Sequence, residues 1–330
     1  MKLALIGATG LVGREIIKVM EEFSFQLKEF IPVASEYSFG KSIYFQNSEY
    51  SVTNIENALQ KKPDIVIYSA GSEISLKTAK LFAHDGAFVI DNSSAWRMFE
   101  DVPLVVPEVN LNAITSKTRI IANPNCSTIQ LVVVLNPLHQ KFRMKKVVVS
   151  TYQSVTGTGA AAVSQLFAER RGEDVRKVYP HQIDLNCFPH GGSFVENGHT
   201  TEEMKLIHET HKILNDSKID IEATVVRIPV TGGHSESVYI EFEQGFSIEE
   251  VYELLNNANG IVVMDNPSEN VYPMPLIAQG KNEIFVGRIR KGLSANHSLQ
   301  LWIVADNLRK GAATNAVQIA QHICNNFLIR

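Results

Sequence analysis

The chain has 330 residues, 45% of them hydrophobic and 20% charged, and its 31 basic and 35 acidic side chains leave a net charge of −4. At about 150 residues per domain this suggests two domains, and the composition excludes collagen-like, coiled-coil and disordered chains. So small a charge gives no general attraction to nucleic acid or anionic lipid; apolar runs such as Leu131 to Leu135 are far below the ~18 residues of a membrane span, and Met1 to Gly7 is too short a run for a signal peptide, so a cytoplasmic protein is expected.

Lys2 to Ile6 reads as a buried strand, and from Gly10 to Glu22 the residues Val12, Ile16, Ile17, Val19 and Met20 recur at helical spacing. Further strands are expected at Phe30 to Ala34, Asp64 to Ser69, Ala87 to Asp91 and Arg119 to Ala122, with a helix from Ser75 to Asp85. This alternation predicts a doubly wound parallel sheet. After about residue 145 the rhythm changes. Lys146 to Thr151, Ala223 to Val230, Ser237 to Glu243, Glu283 to Ile289 and Ser298 to Ala305 are β-rich, and helices are expected over roughly 158–171, 201–215 and 247–258. Strands in runs predict a second domain with a mixed, largely antiparallel sheet. Gly311 to Phe327 is again helical, with Ala312, Ala316, Val317, Ile319, Ala320 and Ile323 on one stripe.

Gly7-Ala8-Thr9-Gly10-Leu11-Val12-Gly13 fits G-x-x-G-x-x-G between a strand and a helix. Small residues let the backbone turn against a pyrophosphate, and the helix N-terminus offers free N–H groups to it. The residues that read the adenosine ribose should follow the second strand, where Ser35, Ser38 and Lys41 suit a 2′-phosphate and Glu36 suits a 2′-hydroxyl. Tyr37-x-x-x-Lys41 imitates the Tyr/Lys pair of short-chain dehydrogenases but lies too early in the chain for it.

Of the three cysteines, Cys187 and Cys324 have no chemical context, whereas Cys126 follows Asn123-Pro124-Asn125 and precedes an apolar helix, with Ser127 or Thr128 available as caps. A helix N-terminus stabilises a thiolate, so Cys126 is the candidate nucleophile. Beside a nicotinamide cofactor, such a thiolate points to carbonyl oxidation or reduction through a thioester, which needs a proton-transfer group and oxyanion donors. His234, after Gly232-Gly233 in what reads as an irregular loop, is the candidate acid/base. Arg97, Lys205 and Arg227 would suit a substrate with two anionic groups; Glu202 and Lys205 also read as a capping turn with an ion pair. His208-x-x-His211 lacks partner ligands, and no metal site is expected.

With these residues in place the chain resembles the bacterial aspartate-semialdehyde dehydrogenases. The likeness rests on GATGLVG (7–13), SAGS (69–72), DNSSAWR (91–97), VPLVVPEVN (102–110), NPNCST (123–128), TYQSVTGTG (151–159), EEMK (202–205), RIPVTGGHSESVY (227–239), FVGRIRK (285–291) and DNLRKGAATNAVQIA (306–320). The resemblance implies a Rossmann-like dinucleotide-binding domain, residues 1–125 with 309–330, and an α+β catalytic and dimerisation domain, 126–308. It implies NADP-dependent, reversible reduction of L-aspartyl 4-phosphate to L-aspartate 4-semialdehyde with release of phosphate, serving lysine (through diaminopimelate), methionine, threonine and isoleucine synthesis, in a homodimer, with a tetramer as the alternative. It assigns the nucleophile to Cys126, acid/base work to His234 and acyl orientation to Gln153. It gives the α-carboxylate to Arg227, the α-amino group to Glu202 and the phosphate to Arg97, Lys205 and Asn125. Cofactor contacts fall to Gly7, Thr9, Gly10, Leu11, Val12, Ser35, Tyr37, Ser38, Thr156, Gly157 and Asn315. Where many members read ASxRSxGK, with the Arg on the 2′-phosphate, this chain has Tyr37 preceded by Glu36, so NAD stands as the alternative cofactor. The N-acetylglutamyl-phosphate reductases share the reaction type but carry N-P-G-C at the thiol. A non-catalytic dinucleotide sensor would not need Cys126, Gln153, Arg227 and His234 together.

Overall fold

The computed structural model describes residues 1–328, which divide into two compact units: the chain up to Asn125 together with the segment from Ala312 on, and Cys126–Gly311.

The first unit runs β1 (Lys2–Ile6), α1 (Leu11–Glu22), β2 (Glu29–Val33), β3 (Ser42–Phe45), β4 (Ser48–Ser51), α2 (Ile55–Gln60), β5 (Ile65–Tyr68), α3 (Ser72–His84), β6 (Phe88–Asp91), α4 (Pro107–Asn110) and β7 (Ile120–Ala122). Its sheet has the order β2-β1-β5-β6-β7, and every pairing is parallel. The strands are short apolar runs because helices cover both faces of such a sheet. The strand order reverses between β1 and β5, and in open parallel sheets ligands bind at the carboxyl ends of strands at such a point. The β3–β4 hairpin, absent from the sequence-based expectation, turns through Gln46 and Asn47, consecutive residues at φ 49° and 63°, as a two-residue primed turn requires.

The second unit begins with α5 (Cys126–Phe142), followed by β8 (Met144–Gln153), α6 (Ala160–Arg170), α7 (Thr201–Leu214), β9 (Asp220–Arg227), β10 (His234–Phe242), α8 (Ile248–Asn256), β11 (Ile261–Val263), α9 (Pro275–Ala278), β12 (Ile284–Lys291) and β13 (Ser298–Ala305). The sheet order is β11-β12-β13-β10-β8-β9, with three antiparallel pairings at the centre and a parallel one at each end. α5 is apolar almost all round, which suits a helix buried between the sheet and α7 and α8. Two expected boundaries change. β9 stops at Arg227 rather than Val230, just ahead of Pro229, which has no N–H to give a ladder. β10 starts at His234, paired with Ala305, so His234 opens a strand instead of sitting in a loop. Gly233, at φ 87° and pressed against the Ala305 carbonyl, makes the turn into it.

After a π-turn (Arg309–Ala313) the chain re-enters the first unit as α10 (Thr314–Phe327). Ala316, Val317, Ile319, Ala320 and Ile323 are fully buried there, in one core with Leu3, Leu5, Ile16 and Phe88.

Candidate active site

In the first unit, Gly7, Thr9, Gly10, Leu11 and Val12 lie on the turn between β1 and α1 or in the first turn of α1. Gly7 has φ 87°, and a Cβ on it would lie 2.3 Å from the Ser69 carbonyl oxygen, so the loops after β1 and β5 meet with no room for a side chain. Gly10 caps α1 without any side-chain bond to the helix. The turn therefore presents a close-packed backbone and uncapped helix N–H groups, and it fits a pyrophosphate. Ser35 precedes, and Tyr37 and Ser38 lie within, the short helical turn Glu36–Ser38 after β2; the Tyr37 ring is 92% exposed. Beside them a cleft of about 280 Å³ is lined by Thr9, Arg14, Lys41 and Ser42 among others.

The same unit holds a network of side-chain amides. Arg97 is buried and donates from Nε to the Asn123 carbonyl and from Nη2 to the Asn92 carbonyl, both at 2.9 Å. Asn123 Nδ2 donates to Asn92 Oδ1 at 2.8 Å, and Asn315 Nδ2 donates to Asn123 Oδ1 at 2.6 Å and to the Val105 carbonyl at 2.9 Å. Asn315 thus braces the strand that leads to Asn125 and Cys126. Under Arg97, buried Asp91 accepts from the Ser75 and Ser93 hydroxyls, and burial raises its pKa despite them.

In the second unit the candidate residues gather at one end of the six-stranded sheet. Gln153 and Arg227 are partners at the ends of β8 and β9, and His234 opens β10 next to them. Cys126 is the first residue of α5, and its Sγ lies 3.2 Å from His234 Nε2. Ser127 Oγ accepts from Gln153 Nε2 at 2.9 Å, and Thr128 Oγ1 is buried with no partner. The other ring nitrogen of His234, Nδ1, accepts the Ser154 backbone N–H at 3.0 Å. A nitrogen that accepts carries no proton, so the neutral ring holds its hydrogen on Nε2, aimed at the sulfur. Burial first, and then the Arg227 charge, lower the His234 pKa to about 3, so the ring is neutral at physiological pH.

Arg227 is itself buried. Nη1 donates to the Ser154 carbonyl at 2.6 Å, the guanidinium lies 5.9 Å from the Tyr179 ring, and Nε has no partner. A buried cation with an unused donor is costly until an anion meets it. A side-chain carbon at Gly157 would stand 3.2 Å from His234 Nε2 and 3.3 Å from Arg227 Nη1, so glycine keeps the approach to both open. The Thr156 and Ser154 hydroxyls share the Asn307 Oδ1 acceptor, each at 3.0 Å. Glu202 and Lys205 form a partly buried ion pair in the first turn of α7, which Thr200 and Glu203 close with a reciprocal capping box; α7 packs on α5 and β9. Among the described residues, no group of three or more His, Cys, Asp or Glu is placed to hold a metal ion, and no helix is long and apolar enough to cross a membrane.

Sequence reasoning missed Ser154, Asn307, Gln130 and Glu236. Ser154 acts through its backbone, which no residue type reveals. Asn307 carried a signal, standing in Asp306-Asn307 straight after β13.

Comparison with known proteins agrees in both halves of the chain. Residues 2–117 match the family model described as semialdehyde dehydrogenase, NAD binding domain, and residues 135–310 match semialdehyde dehydrogenase, dimerisation domain. The aspartate-semialdehyde dehydrogenase of Aquifex aeolicus is 51% identical over 338 aligned positions, 99% of each chain. Aspartate semialdehyde dehydrogenase II of Vibrio cholerae, solved in complex with ASA, superposes with a TM-score of 0.94 at 40% identity, over 99% of this chain and 98% of that one. The Candida albicans aspartate semialdehyde dehydrogenase, solved with NADP, gives 0.77 at 25% identity over 99% of both.

Proposed function

The chain belongs to the aspartate-semialdehyde dehydrogenase family, and on that basis we propose that it reduces L-aspartyl 4-phosphate to L-aspartate 4-semialdehyde, reversibly and through a Cys126 thioester, for the synthesis of lysine, methionine, threonine and isoleucine. The observation that carries the reading is the pair Cys126–His234, sulfur to Nε2 at 3.2 Å at the start of a buried helix.

The partial positive charge at the N-terminus of α5 favours the anionic sulfur, and the His234 Nε2–H donates to it. The thiolate attacks the acyl carbon; the C–S bond forms, the bond to the phosphate oxygen breaks, and phosphate leaves. Gln153, held by Ser127, orients the acyl group and donates to its developing oxyanion. A bound nicotinamide dinucleotide supplies the hydride to the thioester carbon in this direction and accepts it in the other. His234 Nε2–H then faces the oxygen and sulfur of the tetrahedral species, and it steadies the thiolate as the C–S bond breaks and the aldehyde departs. The buried, unpaired Nε–H of Arg227 supports assigning it the substrate α-carboxylate. We assign the α-amino group to Glu202 and the phosphate to Arg97, Asn125 and Lys205. Each phosphate assignment brings a cation or an amide donor suited to a dianion.

The cofactor binds on the glycine turn through Gly7, Thr9, Gly10, Leu11 and Val12, and Ser35, Tyr37, Ser38, Thr156, Gly157 and Asn315 complete its set. We assign it as NADP, with NAD as the second reading because Glu36 and Tyr37 replace the usual residues. The cleft beside Thr9 favours NADP, since Arg14 and Lys41 line it. Replacing Arg14 or Lys41 by Ala is expected to weaken binding of 2′,5′-ADP by about 5- to 10-fold, the worth of one exposed charge-assisted bond. Affinity for 5′-AMP should change less than twofold; equal losses for the two ligands, measured by calorimetry, would point to NAD. The protein acts as a cytoplasmic homodimer in this reading.

Assay of the purified protein with phosphate and NADP tests the activity. Turnover of L-aspartate 4-semialdehyde is expected, and turnover of only the N-acetylglutamate aldehyde would overturn the assignment.

A further inference from the structure

Behind the reactive pair lies a carboxyl group that the chemistry above does not use. Glu236 stands two residues after His234 on β10, between Thr151 of β8 and Ile303 of β13, and has no solvent exposure. It shares the strand face of His234, Val238 and Ile240, whose neighbours are core. Both its oxygens are buried without a hydrogen-bond partner. The side chain that faces it is Gln130, one turn after Cys126 on α5. Gln130 is itself half satisfied: Nε2 donates to the His234 carbonyl at 3.4 Å, and Oε1 is a buried acceptor with no donor.

An ionised Glu236 would leave an uncompensated charge in the core and an unpaired acceptor on Gln130 beside it. A neutral carboxylic acid removes both defects, because its O–H is the donor that Gln130 Oε1 lacks. We propose that Glu236 is a positioning residue for the Cys126–His234 pair: its carboxylic acid donates to Gln130 Oε1, Gln130 donates to the His234 carbonyl, and the chain of bonds fixes the first turn of α5 against the start of β10. Burial, which raises the pKa of this carboxyl well above the ordinary glutamate range, agrees with the neutral form. Without the link, α5 loses its polar tie to the start of β10, and the distance between Sγ and Nε2 rests on the Gln153–Ser127 bond, the Ser154 bond to the ring and packing. Reacting groups tolerate little displacement, so the loss falls on the chemical step and spares substrate binding.

The kinetic arm rests on the proposed activity, and the spectroscopic arm does not. The Glu236→Leu variant is expected to lower kcat at least tenfold with KM within about twofold of the wild type. Glu236→Gln, whose amide can donate to Gln130 Oε1, is expected to keep kcat within threefold. If the leucine variant does not fold, Gln130→Met cuts the same link from the helix and is expected to show the same loss. Infrared spectra of the wild type should contain the carbonyl band of a neutral carboxylic acid that Glu236→Gln lacks. No such band, a glutamine variant as slow as the leucine or methionine one, or full kcat in the variant without the link would each overturn the proposal. Absence of any turnover in the wild type would count against the activity, while the infrared band would still test Glu236.

Discussion

Replacing Cys126 by Ser abolishes turnover while the cofactor still binds. Serine keeps the shape of the side chain, but its hydroxyl stays protonated where a thiol ionises, and no base stands behind it, because the His234 Nε2 that faces it already carries a hydrogen. Loss of the nucleophile is expected to lower kcat by at least about 10³-fold, since the remaining donors bind and polarise but form no thioester. Cofactor affinity, measured by fluorescence titration, should remain within about threefold, because the glycine turn lies in the other unit. Retention of more than a tenth of the activity would remove Cys126 from the role of nucleophile.

Replacing His234 by Asn should be the next most damaging change. Asparagine can still accept the Ser154 N–H, but it is too short to place a donor 3.2 Å from the sulfur. A loss of about 10²- to 10³-fold in kcat is expected, the usual worth of one positioned donor to a developing anion. The same variant carries a stability signature. The native ring resists protonation down to about pH 3, whereas the unfolded ring protonates near pH 6.5. Above pH 6.5 neither state takes the proton, and the ring adds no pH dependence. Below it the unfolded state binds a proton that the native state refuses, so wild-type stability falls as the pH drops from 6.5 towards 3. His234→Asn should flatten that part of the curve, and thermal melts between pH 7 and pH 4 would measure it. Equal slopes for the two proteins would mean that the native ring is readily protonated.

The parallel sheet was legible because its strands are short, largely apolar and separated by amphipathic helices, as β1 and β5 show. The mixed sheet was legible as strands but not as boundaries. Gly232-Gly233 reads as loop, yet the ladder with β13 resumes at the very next residue, and only the partner strand decides that. Cys126 stood out because a proline-marked strand end followed by a long apolar helix fixes where the helix begins. The family resemblance gives Asn315 to the cofactor, and the bonds of its amide N–H groups to Val105 and Asn123 add a bracing role that no motif shows. Gln130 and Glu236 were invisible for a different reason. Gln130 lies inside an apolar run and Glu236 inside the polar stretch His234-Ser235-Glu236-Ser237, and neither pattern shows that two inward polar groups face each other. The hairpin of β3 and β4 was missed because its strands are only four residues long and mixed in polarity, and its signature is a pair of backbone angles at Gln46 and Asn47.

The return of the chain to its first unit sets an order of events during synthesis. Val317, Ile319 and Ile323 are fully buried in the first core, and each such side chain is worth roughly 1.5–3 kcal/mol, a large share of the 5–15 kcal/mol by which a typical domain is stable. The five-stranded sheet emerges first from the ribosome, yet it lacks this face until α10 follows it, about 190 residues after Asn125 at roughly 5–20 residues per second. The second unit, being continuous, has all its strands by Ala305. For ten seconds or more of every round of translation, therefore, the half that binds the nucleotide waits with an open apolar surface for the piece that closes it, and the vectorial order of synthesis is the reverse of the order in which the two halves can be completed.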